Sequence, residues 1–449
     1  MSESRIDPPV LEGEVSLRDR IGTALRRRLT RGSLARDVLT LVAGTAAAQA
    51  IVVITSPILT RIYGPGEFGA FSAAMAIVSI TTTLACLSYD NAVPLPEERS
   101  DAASLFALCL VISLAVTAAF GIVMMLSGSA ILRLLDASIL DPYLALLVVS
   151  LLFGGVVVAA TAWSIRVRQF GAVATNRVMQ TVALVGVQIG AGAAGIGAAG
   201  LLLGDVARSV TGAAGLLAAA ARSGWWPLRG ASVEGIRRMA VRYRRFPIYS
   251  TLSSMINSIG GQAPLILMIT LFGIEVGGQY ALAERVASVP VALLARSMSQ
   301  VFFAEAARQR AVPGAMSALF VRTTRGLAQI GAVPALAIAL LAPFAFGPIF
   351  GSEWSDAGLF TALLMPMMFL SLVMSPTGAA LGVVERQDLH ALRELLRLVM
   401  VVTAALLAAA LSAGPVVAIA LISAGGSVTY VAYGYLSWRA IQQDERLPR

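Results

Sequence analysis

Between residues 278 and 302 an otherwise apolar run carries Arg285, Ser288, Arg296, Ser299 and Gln300. The eleven-residue step from Arg285 to Arg296 makes almost three helical turns, so all five fall near one helix face as a polar, cationic stripe. Other apolar runs are interrupted by Asp205 and Arg208, three residues apart and able to pair, by Glu284, and by Gln49, Asn257 and Gln262. A charge in hydrocarbon is costly and usually faces a bundle interior or a wet cavity. The chemistry on offer is therefore ion pairing and hydrogen bonding inside such a cavity. Each group also has a structural reading. Asp205 with Arg208, and Glu284 with Arg285, suit pairs that lock helices together, Arg296 lies near enough to a surface to snorkel, and the serines and Asn257 suit interhelical hydrogen bonds. Bond-making chemistry has no foothold: there is no P-loop, no metal-spaced His/Cys cluster and no outer loop long enough for a catalytic domain. Neither an enzyme nor a bound metal or cofactor is expected, and an ATP-driven pump would need a partner subunit. Cys86 and Cys109, the two cysteines, lie in or beside apolar runs and make no disulfide framework.

The elements that must hold these residues are membrane spans. Of 449 residues 57% are hydrophobic and 13% charged, with mean hydropathy +0.79, more apolar surface than a water-soluble fold could bury. Twelve runs of about 20 residues are each long enough to cross roughly 30 Å of hydrocarbon as a helix. They fall near 38–60, 67–87, 102–126, 142–162, 174–195, 198–221, 246–271, 278–302, 318–346, 356–380, 392–412 and 415–437. The polar, arginine-rich opening lacks the short apolar core of a secretory signal, which predicts a retained tail. All 34 basic residues are arginine; eight lie in residues 1–37 and seven in 222–245, whereas the opposite loops hold little more than Arg61 and Arg133. The positive-inside rule makes both termini and the middle loop cytoplasmic. Leu17, Ile21, Leu25 and Leu29, and again Val233, Ile236, Ala240 and Tyr243, recur at helical spacing among arginines. That pattern predicts helices lying on anionic lipid headgroups, with nucleic acid disfavoured beside membrane spans.

Sliding the chain against itself by 209 residues lays YGPGEFGAFSAAMAIVS, 63–79, over FGIEVGGQYALAERVAS, 272–288. Gly64, Gly69, Ala74 and Ser79 meet Gly273, Gly278, Ala283 and Ser288, and the positions matching Arg285, Ser288, Arg296 and Gln300 of the cationic stripe are Ala76, Ser79, Leu87 and Asn91. Duplication of a six-helix unit produces such a match, and six being even, the two halves share orientation. The expected organisation is a basic tail 1–37, a lobe 38–221, a cytoplasmic linker 222–245, a second lobe 246–437 and a tail 438–449.

SPILTRIYGPGEFGAFSAAMAIVSI followed by SYDNAVPLP resembles the first hairpin of bacterial polysaccharide flippases, in the larger group that includes multidrug-and-toxin exporters and the peptidoglycan lipid flippase. YRRFPIYSTLSSMINSIGGQAPLILMITLFG and GGQYALAERVASVPVALLARSMSQVFFAEAAR are similar to that family's seventh and eighth helices, and FGPIFGSEWSDAG to the loop after its ninth. The resemblance covers about residues 38–440. It implies an all-α integral membrane protein of the bacterial inner membrane, two six-helix bundles forming a V, and movement of an undecaprenyl-diphosphate-linked oligosaccharide to the outer leaflet. On that basis Arg285, Arg296 and Arg208 would meet the diphosphate, and Asn257, Gln262 and Gln300 the glycan. Asp205 and Glu284 are the candidates for proton or sodium coupling. Partners would be the lipid-linked glycan, anionic lipids, and a polysaccharide polymerase and glycosyltransferases, with the transporter itself a monomer. The rival from the same group is a cation-coupled drug antiporter, expected to favour acidic over basic cavity residues.

Overall fold

The computed structural model describes residues 17–446 apart from 223, 225, 227, 311, 313 and 385. Among the described residues it is all helical, with fourteen α-helices and no strand. In chain order these are α1 (Leu17–Ile62), α2 (Pro65–Thr82), α3 (Arg99–Leu134), α4 (Leu144–Arg166), α5 (Phe170–Ala193), α6 (Ala198–Arg222) and α7 (Val233–Arg242). There follow α8 (Thr251–Phe272), α9 (Ile274–Gln309), α10 (Ala315–Phe350), α11 (Ser355–Met374), α12 (Ala380–Val383), α13 (Gln387–Ala410) and α14 (Pro415–Arg446). Nine helices among the described residues are long and apolar enough to cross a membrane. The other three runs read as spans, α2, α5 and α13, fall outside that set. α2 opens on Pro65, Gly66 and Glu67, which dilute the apolarity of its 18 residues, and α5 and α13 interrupt their apolar runs with groups such as Asn176, Gln180, Arg393, Glu394 and Arg397.

Helices α1–α6 pack mainly on one another, as do α8–α14, and α2 crosses to α8 and α9. Both groups share one apolar core at the end carrying the α1–α2 hairpin, where Leu59, Phe68 and Leu201 join Tyr280, Phe346 and Trp354. At the opposite, arginine-rich end the core divides. Phe106, Trp163 and Met239 form one cluster, and Phe302, Met316 and Tyr433 another. The molecule is closed at the hairpin end and split at the other, with Thr251 Oγ1 donating to Ser88 Oγ at 3.1 Å across the split.

The hairpin end follows from local sequence. Pro65 opens α2 with φ already helical, and the Glu67 carboxylate accepts the Gly64 N–H at 3.1 Å. Its counterpart α9 starts after Gly273, whose φ of +92° suits a residue without Cβ. The two helices begin at Pro65 and Ile274, 274 − 65 = 209 residues apart, the period of the repeat. They meet symmetrically: a Cβ on Gly69 would lie 2.0 Å from the Ile274 carbonyl oxygen, and one on Gly278 would lie 2.0 Å from that of Pro65. Around this contact the Trp354 indole N–H donates to Thr60 O at 2.9 Å, and Gln279 bridges Glu353 O and the Ala357 N–H. Arg61, in the hairpin, donates to Pro348 O at 3.2 Å and so ties α1 to α10.

Of the two expectations about basic helices, one changes. Residues 1–16, and the side chains as far as 39, lie outside the described residues, but the backbone from Leu17 runs into the first span as one helix. The second basic segment is a helix, α7, capped by Ser232 Oγ accepting the Gly235 N–H. Its apolar side does not face lipid. Met239 is buried, Ile236, Ala240 and Tyr243 pack with it on the first helix group, and Arg238 pairs with Asp101 at 2.7 Å; only Val233 of the expected row is fully exposed. A complementary carboxylate on α3 and an apolar seat offer α7 more than a lipid surface would.

Candidate functional site

A cavity of about 830 Å³ lies between the two helix groups, walled by α1, α2, α4, α5 and α6 on one side and by α8 and α9 on the other. Its charged lining consists of Arg208 and Arg285 with Asp90, Asp205 and Glu284; its amides are Gln49, Asn91, Gln188 and Gln262, and Ser79, Ser88, Ser254 and Ser288 add hydroxyls. Hydrophobic walls come from Val52, Leu59, Phe71, Met75, Val185 and Leu265. A polar floor inside apolar walls is the environment in which a charged or hydroxyl-bearing ligand can be held away from lipid.

Asp205 is buried and fully engaged. The Arg208 guanidinium pairs with its Oδ1 at 2.7 Å, and Ser150 donates to Oδ2 at 2.5 Å. The pair runs along α6 itself, and it is the Ser150 hydroxyl that ties Asp205 to a second helix, α4; the Arg208 side chain remains 38% exposed toward the cavity. Arg285 is placed differently. Its guanidinium lies over the Phe68 ring, 5.1 Å from the centroid, and among the described residues it makes no hydrogen bond and has no carboxylate at ion-pair distance. Phe68 in turn receives the edge of Trp354, centroids 5.5 Å apart. A cavity cation thus rests on a ring that belongs to the hairpin-end closure.

Two of the positions the repeat assigns, Ala76 and Ser79 on α2, line the cavity together with their counterparts Arg285 and Ser288 on α9, and Ser88 and Asn91, beyond the end of α2, line it as well. The stripe does not continue, because α9 lines the cavity only as far as Val289, one residue before Pro290. Gln300 lies exposed elsewhere, about 16 Å farther along the axis at 1.5 Å per residue. The side chain of Arg296 lies outside the described residues. On α8, Ser254 and Gln262 face the cavity whereas Asn257 is exposed outside it. Five residues from Gln262 turn an ideal helix by about 140°, which puts Asn257 on another side.

Asn257 instead meets a residue the sequence reading passed over. Arg397 of α13 donates to the Asn257 backbone carbonyl at 3.1 Å and pairs with the buried Glu394 at 2.8 Å; Glu394 also meets Arg393, which stacks on Tyr433. Spacing of three or four residues between 393, 394 and 397 was the available signal. Gln188 was missed as well. Its carbonyl takes the Tyr63 hydroxyl at 2.7 Å and its amide donates to Leu201 O, while Gly204 of α6 leaves room for it. Asp90 sits between α2 and α3 at the split end. Burial pushes its carboxyl above the ordinary carboxylate range, against two backbone N–H groups that pull it down. Among the described residues the charged lining is therefore two arginines and three carboxylates, one of which pairs with Arg208.

A family model described as a polysaccharide biosynthesis protein matches residues 58–359. An amylovoran biosynthesis protein of Erwinia amylovora, AmsL, is 25% identical over 144 residues, which make up 32% of this chain and 36% of that relative. The chain therefore aligns with little more than a third of the curated relative's length. Among solved structures, the lipid II flippase MurJ in an inward closed conformation superposes with a TM-score of 0.65 at 10% identity, over 91% of this chain and 90% of that one. A multidrug resistance MATE family transporter of the MOP superfamily, inward-facing, gives 0.62 at 16% identity, over 91% and 96%. A MOP superfamily transporter from Pyrococcus furiosus, described as having a binding pocket of reverse polarity, gives 0.61 at 16% identity, over 92% and 96%. At these identities the likeness is one of fold.

Proposed function

Because this chain belongs to the polysaccharide biosynthesis protein family, we propose that it is a flippase carrying an undecaprenyl-diphosphate-linked oligosaccharide from the cytoplasmic to the outer leaflet of a bacterial inner membrane. It is a multi-pass membrane protein with a transporter fold; cargo and direction are the proposal. Twelve spans are assigned, with α2, α5 and α13 completing the nine, both termini cytoplasmic and the hairpin end facing outward. Lobes 38–221 and 246–437 move as units about the linker 222–245, and the flippase works as a monomer.

The observation that carries this reading is a cavity between two helix groups with an arginine, Arg285, that among the described residues has no carboxylate at ion-pair distance. Unassisted passage of a diphosphate and a hydrated glycan through lipid is prohibitive, because charges and hydroxyls would be buried unpaired. Arg285 and Arg208 supply guanidinium forks for diphosphate oxygens, and Gln262, Gln188 and Asn91 hydrogen-bond the sugar. The polyprenyl tail stays in lipid. An anion in the cavity competes with the Phe68 ring for Arg285, a contact worth about 0.5–2 kcal/mol. Cargo capture then loosens Phe68 against Trp354 and weakens the outward closure, which couples binding to rocking of the lobes. Glu284, adjacent to Arg285 in sequence, is the remaining candidate for ion coupling, since Asp205 is held by Arg208 and Ser150.

The test is reconstitution in liposomes with a labelled polyprenyl-diphosphate glycan. Wild type should expose the label at the opposite leaflet, and Arg285→Ala should slow this by about 10- to 150-fold, the equivalent of one charge-assisted hydrogen bond of 1.5–3 kcal/mol. Expulsion of organic cations without movement of the glycan would replace the reading with an antiporter.

A further inference from the structure

Helix α10 has 36 residues, a length of about 54 Å at 1.5 Å per residue. Hydrocarbon accounts for about 30 Å, so roughly 12 Å projects into headgroups at each end. Arg322 and Arg325 stand about 10 and 15 Å from the Ala315 start, astride that boundary. Both are exposed, and among the described residues neither has a hydrogen bond or a carboxylate at ion-pair distance. Nearby carboxylates are already engaged: Glu305 by Arg308 and Gln309, Asp444 by Arg310, and Glu445 by the N–H and hydroxyl of Ser317.

The two arginines do not lie on a flat surface. With Gln329 and Ser317 of α10 and Trp438 of α14 they line a separate cavity of about 660 Å³ on the flank of the second helix group. Trp438 is fixed by Phe320, ring centroids 5.2 Å apart. Steps of three and four from 322 to 325 to 329 keep these groups on one stripe of the helix. Deeper along the same helix Val333, Leu336, Leu340 and Phe344 are 61–79% exposed and form an apolar track. A paired cationic notch, walled by an interfacial tryptophan and continued by an exposed apolar track, matches an amphiphile with a phosphate head and hydrocarbon tails.

We propose that the notch of Arg322, Arg325 and Trp438 is a binding site for the phosphate headgroup of an anionic phospholipid from the surrounding leaflet. It is distinct from the cargo cavity between the lobes and requires only that α10 crosses a membrane, whatever the cargo. The guanidiniums hold the phosphodiester oxygens, Trp438 packs on the glycerol region, and the acyl chains follow the α10 track.

Purified, delipidated protein is titrated with dioleoyl phosphatidylglycerol, and retention is read by native mass spectrometry alongside thermal unfolding. Saturable binding with a raised midpoint is expected, absent with phosphatidylcholine. The double variant R322Q/R325Q should lose at least about tenfold in affinity, whereas R322K/R325K keeps most of it. Elution as a single folded species on size exclusion guards against misfolding, and Arg285→Gln should bind the lipid as wild type does. Equal binding of phosphatidylcholine, an equal effect of inorganic phosphate alone, or unaltered binding by R322Q/R325Q overturns the site. Tenfold tighter binding of undecaprenyl phosphate overturns the assignment to bulk phospholipid. Failure of glycan transport in the liposome assay leaves every one of these readings unchanged.

Discussion

Replacing Gly69 by alanine should open the cavity to the outside. The added Cβ would sit 2.0 Å from the Ile274 carbonyl oxygen, and real Cβ atoms essentially never come within 3.0 Å of a neighbour, so α2 and α9 must part by at least 3.0 − 2.0 = 1.0 Å. The obstacle is backbone, which cannot swing aside as a side chain would. Overpacking of this kind costs about 1–3 kcal/mol. That cost falls only on the conformer whose hairpin ends touch, so the population shifts toward the outward-open form by about 5- to 150-fold. A reporter cysteine at Ser72, buried in the cavity wall one turn from Gly69, reads the shift by its rate of labelling with a membrane-impermeant maleimide added outside. The native Cys86 and Cys109 are buried and are first replaced by serine. Gly278→Ala, meeting Pro65 O at the same 2.0 Å, should give an equal effect, and the double variant less than the sum, since one separation relieves both clashes. Gly261→Ala, whose Cβ would meet nothing within 4 Å, should do nothing. An unchanged labelling rate in folded Gly69→Ala would mean that this contact is not the outer closure.

Asp205→Asn should lower thermal stability by about 1–3 kcal/mol, discounted because Arg208 is partly exposed and can re-solvate; the freed Arg208 should at the same time tighten binding of a soluble diphosphate analogue, and unchanged stability would contradict the locking role. Asp90→Asn should stabilise the protein at neutral pH. The folded-state carboxyl titrates above its unfolded value, so ionising it opposes folding above that range, and the advantage of the variant should shrink as pH falls through the raised value toward the ordinary carboxylate range. Unfolding midpoints at neutral and acidic pH check this; a gap between wild type and variant that widens on acidification would reverse the sign.

Helical membrane architecture, the repeat and half of the cavity were legible because they depend on period and composition. The 209-residue offset paired Ala76 and Ser79 of α2 with Arg285 and Ser288 of α9, and all four line the cavity, since duplicated helices present equivalent faces. Face arithmetic failed at Gln300 for a different reason: it fixes an angle about the axis, not a depth along it, and Pro290 marks where α9 leaves the cavity. Asn257 was grouped with Gln262 by helix and not by angle. Arg285 was identified, but its seat on Phe68 was not, because that contact joins residues 217 positions apart and leaves no trace in either local pattern. The α7 docking surface leaves no local trace either, because Asp101, which pairs with Arg238, lies 137 positions away in the chain.

The paired glycine contact also carries ancestry. Gly69 touches the α9 start, and Gly278 touches the α2 start, in the same geometry and 209 residues apart, which is the self-complementary contact a dimer of two identical six-helix chains would make. In such a dimer one glycine codon would serve both sides of the seam. Fusion into a single chain splits that obligation between two codons, each able to mutate alone, while the seam still requires both to stay small. The two copies differ elsewhere on this face, with Arg285 standing where the first copy has Ala76, but not at its point of closest approach, where both carry glycine.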